Sequence, residues 1–418
     1  MNLKISKYLN QRFYYGWMII LIAGISVFFS APGQSYSIST FMKSYTSDFG
    51  LSKTLISSIY SIATICSGLL LVFMGKAVDK YGQRKMTVIV GIALAIVCFF
   101  NSYISNIVMI ALSFFLLRYL GQGSLTLIPN SLTPQWFDKR RALSISLMNL
   151  GGMIANLTVP VVNVYLIKLY SWQYVWKLWS LAVIIFFVPL AFMLIVNKPE
   201  DIGTLPDNEQ ATDETDPSIK AENAWTLHEA IKTKEFWFVG IISMIVPMIT
   251  TGLVLHFFSI MELKGISETQ ASFVIGLIAL PGFIMPIVSG LIIDRFRSKH
   301  IITFTLICMA LTLLLFMNVN SVITAVIFML LYGLVTNIQS VTISVIWPRY
   351  FGRKYLGSIR GAATIFMVIG SALGPIPFGL SYDLTGGYRA VLIVMMVITV
   401  LSMAMAVSIQ KPIKSDLR

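Results

Sequence analysis

Phe49–Lys80, FGLSKTLISSIYSIATICSGLLLVFMGKAVDK, aligns without a gap to Lys264–Arg295, KGISETQASFVIGLIALPGFIMPIVSGLIIDR. The two stretches lie 215 positions apart and pair Gly50 with Gly265, Ser52 with Ser267, Gly75 with Gly290 and Asp79 with Asp294. A second pair, PQWFDKRRALSI from Pro134 and PRYFGRKYLGSI from Pro348, matches at an offset of 214. Two matches at one spacing mark an internal duplication with both copies in the same orientation.

Composition says what is duplicated. Of 418 residues, 56% are hydrophobic and only 12% charged, about half the charge of a typical soluble domain. An all-α integral membrane protein follows. One helical crossing takes roughly 20 apolar residues, and twelve such runs are present, near 14–41, 55–75, 86–104, 107–136, 142–168, 173–196, 235–261, 269–293, 300–318, 321–347, 358–382 and 387–409. The first run follows MNLKISKYLNQRF without a small-residue cleavage site and is expected to stay as a helix. The long polar segment after Asn197 divides the runs six and six. The expected organisation is therefore an N-terminal six-helix bundle over 1–196, a cytoplasmic central loop over 197–234 and a C-terminal six-helix bundle over 235–418. Within the loop, TLHE (Thr226–Glu229) reads as a capping box for a short helix.

The net charge of +13 has a topological reading. Basic residues cluster on alternate loops, as at Lys76, Lys80, Arg84 and Lys85, at Lys139, Arg140 and Arg141, and at Arg349, Arg353, Lys354 and Arg360. The positive-inside rule then places both termini in the cytoplasm. Spread over short loops, these charges form no stripe for nucleic acid. Cys66, Cys98 and Cys308 sit singly in separate runs, which excludes a disulfide framework or a thiolate metal cage. HExxH, GxSxG and paired intramembrane carboxylates are absent from the sequence, so an enzyme is not expected, nor a cofactor or metal.

Parallel six-helix repeats are a transporter architecture, with the substrate near the bilayer midplane. GKAVDKYGQRK (Gly75–Lys85) resembles the loop signature between helices 2 and 3 of the major facilitator superfamily, with Gly75, Asp79, Gly82, Arg84 and Lys85 in the pattern, and RYLGQG from Arg118 resembles its fourth-helix arginine motif. RFYYGWMIIL, QSYSISTFMKSY and IPNSLTPQWFDKRRALSISLMNLGG are similar to the monocarboxylate porters and oxalate/formate exchangers. The resemblance implies a secondary transporter in the cell membrane, working as a monomer on a small-molecule substrate, with a proton or a counter-anion coupled. It also implies a cytoplasmic latch around Asp79 and its repeat, Gly290, Asp294 and Arg295, where Arg297 stands in place of the second glycine.

Individual residues carry two readings each. Arg118 is the one basic residue deep in a run, where it either draws an anionic group or ties helix carbonyls together; its repeat equivalent is Tyr332. Pro32, Gly33, Gln34, Ser35, Tyr36, Ser37 and Ser39 interrupt the first run, so a bent helix is expected there, with Gln34 and Tyr36 facing either a solute or a neighbouring helix. His256, which aligns with Phe41, either carries a proton or is held by neighbours. Asn130, Asn149, Asn337 and Gln339 either line a cavity or tie helices. The oxalate exchangers carry cations in helices 8 and 11; none stands here near Met285–Pro286 or Ala363, and no Asp or Glu lies mid-run. A small organic monoanion anchored by Arg118 is the leading expectation. Efflux of amphiphilic compounds and solute sensing without transport are the competing ones.

Overall fold

The computed structural model describes residues 13–137, 140–208, 225–283, 298–352 and 356–412, together with Ser6 and Asn10. It is helical, with no strand among the described residues. Eleven helices among these residues are long and apolar enough to cross a membrane. The predicted run at 269–293 falls partly on residues 284–297, outside the described set.

The long helices are α1 (Gly16–Phe29), α2 (Lys53–Tyr81), α3 (Gln83–Asn101), α4 (Ile107–Trp136), α5 (Arg141–Leu169), α6 (Trp172–Leu194) and α7 (Lys234–Leu263). The shorter α8 (Glu268–Gly276) follows, then α9 (Ser298–Met317), α10 (Val322–Phe351), α11 (Leu356–Leu373, continued as Pro375–Thr385) and α12 (Arg389–Ser408). The expected capping box is present: the Glu229 carboxylate accepts from Thr226 N–H at 2.7 Å, and Thr226 Oγ1 accepts from Glu229 N–H at 3.3 Å.

Two compact units emerge, one of residues 1–51 and 62–214, the other of residues 52–61 and 215–418. Each repeats one plan of helix pairing. In the first unit α1 packs on α5 and α3 on α6; in the second α7 packs on α11 and α9 on α12. The aligned Gly50 and Gly265 both take left-handed backbone, at φ +62° and +73°, closing the short segment before the next helix.

Small residues set how closely these pairs approach. A Cβ at Gly151 of α5 would lie 1.9 Å from the Gly24 carbonyl oxygen of α1, and one at Gly370 of α11 would lie 2.3 Å from that of Met244 in α7. Lipid offers no hydrophobic drive between helices, so such backbone contact supplies the dispersion that holds them. Large apolar side chains point outward instead: Leu69, Ile96, Phe186 and Leu401 are each more than three-fifths exposed, as suits a hydrocarbon surround.

Aromatic clusters fix both ends of the first unit. Trp136 donates to the Val196 carbonyl at 3.1 Å and Tyr15 to that of Leu194 at 2.8 Å, joining α1, α4 and the end of α6. At the opposite end of α6, Trp176 stacks on Phe41 with centroids 4.4 Å apart and donates to Tyr45 at 3.0 Å. In the second unit Trp225, Phe236, Trp347 and Phe351 form the corresponding core under α7 and α10.

Replacing Gly151 or Gly370 by Ala should lower stability by about 1–3 kcal/mol, because backbone must move. Gly361, whose added Cβ meets no atom within 4 Å, should tolerate Ala without loss. Thermal midpoints of the three variants in nanodiscs measure the contrast.

Candidate substrate site

The first helix ends at Phe29, continues as a 3-10 turn over Ala31–Gly33, and breaks at Gln34, whose backbone is extended at φ −85° and ψ 147°. Helix resumes at Ser35–Ile38. A break inside a membrane unit strands backbone polar groups, each of which needs a partner. Arg118 is that partner: its Nη1 donates to the Gly33 carbonyl at 3.3 Å and to Ser35 Oγ at 3.5 Å, and its Nε to Thr64 Oγ1 at 3.1 Å. The guanidinium is 1% exposed, and these three acceptors are uncharged.

Two glycines bring the break and the arginine together. A Cβ at Gly33 would lie 2.1 Å from the Leu117 carbonyl oxygen, and one at Gly121 would lie 2.9 Å from Gly33 Cα. The arginine itself opens a π-helical stretch in α4, Arg118–Ser124, a widening common where helices serve a function. Further along α4, Pro129 has no N–H to give the Leu125 carbonyl. Ser26 Oγ of α1 donates to that oxygen instead, at 3.4 Å.

The second unit repeats this contact with different chemistry. Tyr332, the equivalent of Arg118, bonds through its hydroxyl to Thr250 Oγ1 at 2.7 Å. Thr250 lies 215 positions after Ser35, so both units join the same pair of helices at the same place. Beside it opens a cavity of about 540 Å³ between α7, α10 and α11, lined by Ser243, Thr250, Thr251, Asn337, Gln339 and Trp347 among others. Its described lining holds no charged side chain.

The residues singled out from sequence fall into separate places. Gln34 donates to Ser30 Oγ at 3.0 Å, and Tyr36 packs against Ala31, Ala155 and Val159. Asn130 is exposed and donates to its own helix at Thr126, 2.8 Å away; Asn149 is exposed on α5. Asn337 and Gln339 do share the second unit's cavity. His256 is buried within the second unit, its Nε2 2.9 Å from Ser57 Oγ and its Nδ1 3.3 Å from the Tyr388 hydroxyl. Tyr388 donates its own proton to Ser259 Oγ at 2.9 Å. A neutral ring with one N–H and one acceptor satisfies this network.

Several partners carry no signal when read alone. Asn163 of α5 donates to Ser37 Oγ at 3.1 Å and accepts from Trp179 at 3.0 Å, bracing the segment beyond the break. Ser57 and Tyr388 are likewise ordinary in sequence. For Thr250 the repeat supplies a signal, its place 215 positions after Ser35.

In GKAVDKYGQRK, Gly82 sits at φ +83° and ψ 155°, a conformation open essentially to glycine alone. A Cβ there would also meet the Asn197 side chain at 2.7 Å. Arg84 N–H donates to Asn197 Oδ1 at 2.9 Å, and Arg84 Nε to the Phe192 carbonyl at 2.9 Å, so this turn is fastened to the end of α6. Lys80 and Lys85 both lie over the Tyr81 ring, at 5.3 and 5.2 Å. An added Cβ at Gly75 would meet nothing within 4 Å among the described residues. The Asp79 side chain and Gly290, Asp294 and Arg295 lie outside the described residues.

Duplicated helical units, a broken first helix and an intramembrane arginine define a multi-pass membrane carrier. The sequence profile of the Major Facilitator Superfamily matches residues 23–375 and again 257–416, and the chain belongs to that superfamily, whose members are transporters and not enzymes. Monocarboxylate transporter 9 of Gallus gallus is 25% identical over 157 residues, 38% of this chain and 31% of that protein. The MFS-type transporter YhjX of Escherichia coli is 23% identical over 257 residues, 59% of this chain and 60% of that protein. The chain thus matches about a third of the first relative's length and three-fifths of the second's. Among solved structures, a point mutant of the nucleoside transporter NupG superposes with TM-score 0.74 at 15% identity, covering 93% of this chain and 99% of that one. A bacterial homolog of the human lysosomal transporter Spinster superposes with TM-score 0.73 at 12% identity, covering 94% and 96%. These structures establish the shared fold.

Arg118→Leu should orphan the Gly33 carbonyl and cost about 1–3 kcal/mol, whereas Tyr332→Phe leaves Thr250 able to bond its own helix and costs about 0.5–1.5 kcal/mol. Unfolding midpoints of the two variants in nanodiscs test the order.

Proposed function

We propose that this transporter carries a small organic monoanion of the monocarboxylate kind across the cell membrane by rocker-switch alternating access. The moving parts are the two six-helix bundles, 1–196 and 235–418, joined by the cytoplasmic loop 197–234, with both termini cytoplasmic and the monomer as the working form. Arg118 carries this reading. Holding a cation at the centre of a span costs at least about 2.5–3.5 kcal/mol, and at the equivalent place in the second unit a neutral hydroxyl, Tyr332 on Thr250 Oγ1, makes the contact between α10 and α7. A positive centre beside a broken helix suits an anion, and the partial match to Monocarboxylate transporter 9 supports the class. A proton moving with the anion, or a second anion exchanged for it, completes the cycle.

Uptake of a labelled monocarboxylate panel into proteoliposomes under an imposed pH gradient tests the reading. Arg118→Gln should lower carboxylate uptake at least tenfold, roughly the worth of one charge-assisted hydrogen bond, with Arg118→Lys retaining part of it. Rates are compared at equal amounts of folded protein, since Arg118 also braces the break. Transport of no carboxylate by the wild type, or an unchanged rate in Arg118→Gln, overturns the proposal.

Efflux of amphiphilic compounds is favoured by one observation, the uncharged cavity of the second unit with Val246, Pro247, Ile343 and Trp347 on its wall. Export of an uncharged dye that is insensitive to Arg118→Gln selects that reading. Counterflow of label, which a sensor does not perform, separates both from solute sensing.

Asp79 belongs to the proposed cytoplasmic latch. Asp79→Asn should shift the resting protein away from the cytoplasm-closed state, read as increased alkylation of cysteines placed along the cytoplasmic side; unaltered alkylation removes the latch.

A further inference from the structure

A different opening lies in the second unit at the ends of α9, α10 and α12, and it shares no lining residue with the cavity of α7, α10 and α11. It measures about 620 Å³ and is lined chiefly by Ser298, Lys299, Arg349, Tyr350, Gln410 and Lys411. All six lie at the limits of the apolar spans 298–317, 322–351 and 389–408, the depth at which lipid headgroups sit. Helix α12 stops at Ser408. Ile409 is fully buried with extended backbone, φ −67° and ψ 129°, and turns the chain so that Gln410 and Lys411 reach the opening.

Its chemistry is cationic. Lys299, Arg349 and Lys411 come from three different helix ends, and no carboxylate stands among the described lining. Arg349 Nη1 donates to Ser298 Oγ at 3.4 Å, which sets the guanidinium beside α9. Glu235 of α7 acts electrostatically on Tyr350 but is buried and outside the lining; three positive charges against that one negative charge still leave two in excess. The positive-inside tendency accounts for cations on a loop. It does not account for three of them converging on one cavity, where they repel one another until an anion lies between them. A phosphate fits that description, since the planar fork of an arginine and the point charge of a lysine both bind phosphate oxygens.

A narrower groove of about 260 Å³ adjoins this cavity and shares Lys299 with it. It follows Lys299, Thr303 and Ile307, which recur every four residues along one face of α9, with Phe304 and, from α12, Val407 on its walls. Phe304, Ile307 and Val407 are 60%, 43% and 60% exposed, so the groove opens toward hydrocarbon. A cationic cavity at the edge of the spans, joined through one lysine to an apolar groove within them, matches the two parts of a phospholipid. We propose that the end of α9 holds an anionic phospholipid, its phosphate among Lys299, Arg349 and Lys411 and an acyl chain along Thr303, Ile307 and Val407. Basic pockets between membrane helices bind anionic headgroups in this manner. A zwitterionic headgroup would bring a further cation to a place that already has three. Bound there, one lipid fastens α9 to α10 and α12, the helices on which it packs. The site is independent of which solute the protein carries.

Native mass spectrometry of the detergent-purified chain, titrated with dioleoylphosphatidylglycerol, dioleoylphosphatidylcholine or inorganic phosphate, tests the proposal. Phosphatidylglycerol should bind about tenfold more tightly than phosphatidylcholine. Lys299→Gln combined with Lys411→Gln should weaken phosphatidylglycerol about twenty-fivefold, at about fivefold for each basic residue facing an anionic lipid. Removing the same charge from α2, by Lys76→Gln with Lys80→Gln, should leave binding within about twofold, because those lysines line neither cavity nor groove. Val407→Trp, which fills the groove and leaves every cation in place, should weaken phosphatidylglycerol as well. Unchanged thermal midpoints of the variants in phosphatidylcholine nanodiscs separate loss of the site from loss of the fold. Equal binding of the two phospholipids, or the same loss from the α2 pair as from Lys299 and Lys411, overturns the proposal. Displacement of phosphatidylglycerol by inorganic phosphate at matching concentration, with Val407→Trp without effect, makes the site one for a free anion and overturns the lipid.

Discussion

The bond from Arg118 to the Gly33 carbonyl is the contact on which the first unit's interior depends. A membrane helix cannot simply stop and restart, because lipid supplies no partner for the groups it leaves behind. Here the break at Gln34 is stabilised from the side, by a cation that the same break makes room for. Gly33 and Gly121 allow the two backbones to meet, and the π-helical stretch that Arg118 opens belongs to the same contact. Beyond the break, Asn163 and the stacked Phe41 and Trp176 fix where the chain resumes. Each of these residues is ordinary by itself. Together they maintain a charge where charge is expensive.

The duplication makes that expense informative. Tyr332 meets Thr250 at the place where Arg118 meets Ser35. Both contacts join equivalent helices, so helix packing at this position is served by a neutral hydroxyl. The arginine brings a charge and also meets the Gly33 carbonyl at a break that the continuous α7 lacks, so the two units have become chemically different versions of one plan. The first holds a buried cation; the second holds hydroxyls and amides around a cavity without charge among its described residues.

Much of the fold was legible because membrane helices obey few rules. Apolar run length located the eleven spans among the described residues, most to within a few residues, and the gapless match of Gly50 to Gly265 announced a repeat that returns as the same left-handed turn and the same helix pairings. The bend at Pro32–Ser39 was legible too, since proline and glycine inside a span have few other uses. The site was less so. Asn130 and Asn149 carry two readings in sequence and both lie exposed, because amides serve either purpose and only rotation about the helix axis decides which. His256 drew notice as the lone intramembrane imidazole, whereas its partners Ser57 and Tyr388 lie 199 and 132 positions away and leave no local pattern. In the loop at Gly82, the partner of Arg84 is the Phe192 carbonyl of α6, which no local pattern announces.

Hydrogen-bond bookkeeping separates structural polar groups from those held in reserve. Most intramembrane hydroxyls here donate to a carbonyl three or four residues back, the least costly way to carry a polar side chain in lipid, and so announce nothing. Asn130 and Asn337 follow the same habit, each donating to the carbonyl four residues earlier. Gln339, on the same helix as Asn337 and two residues further on, does not.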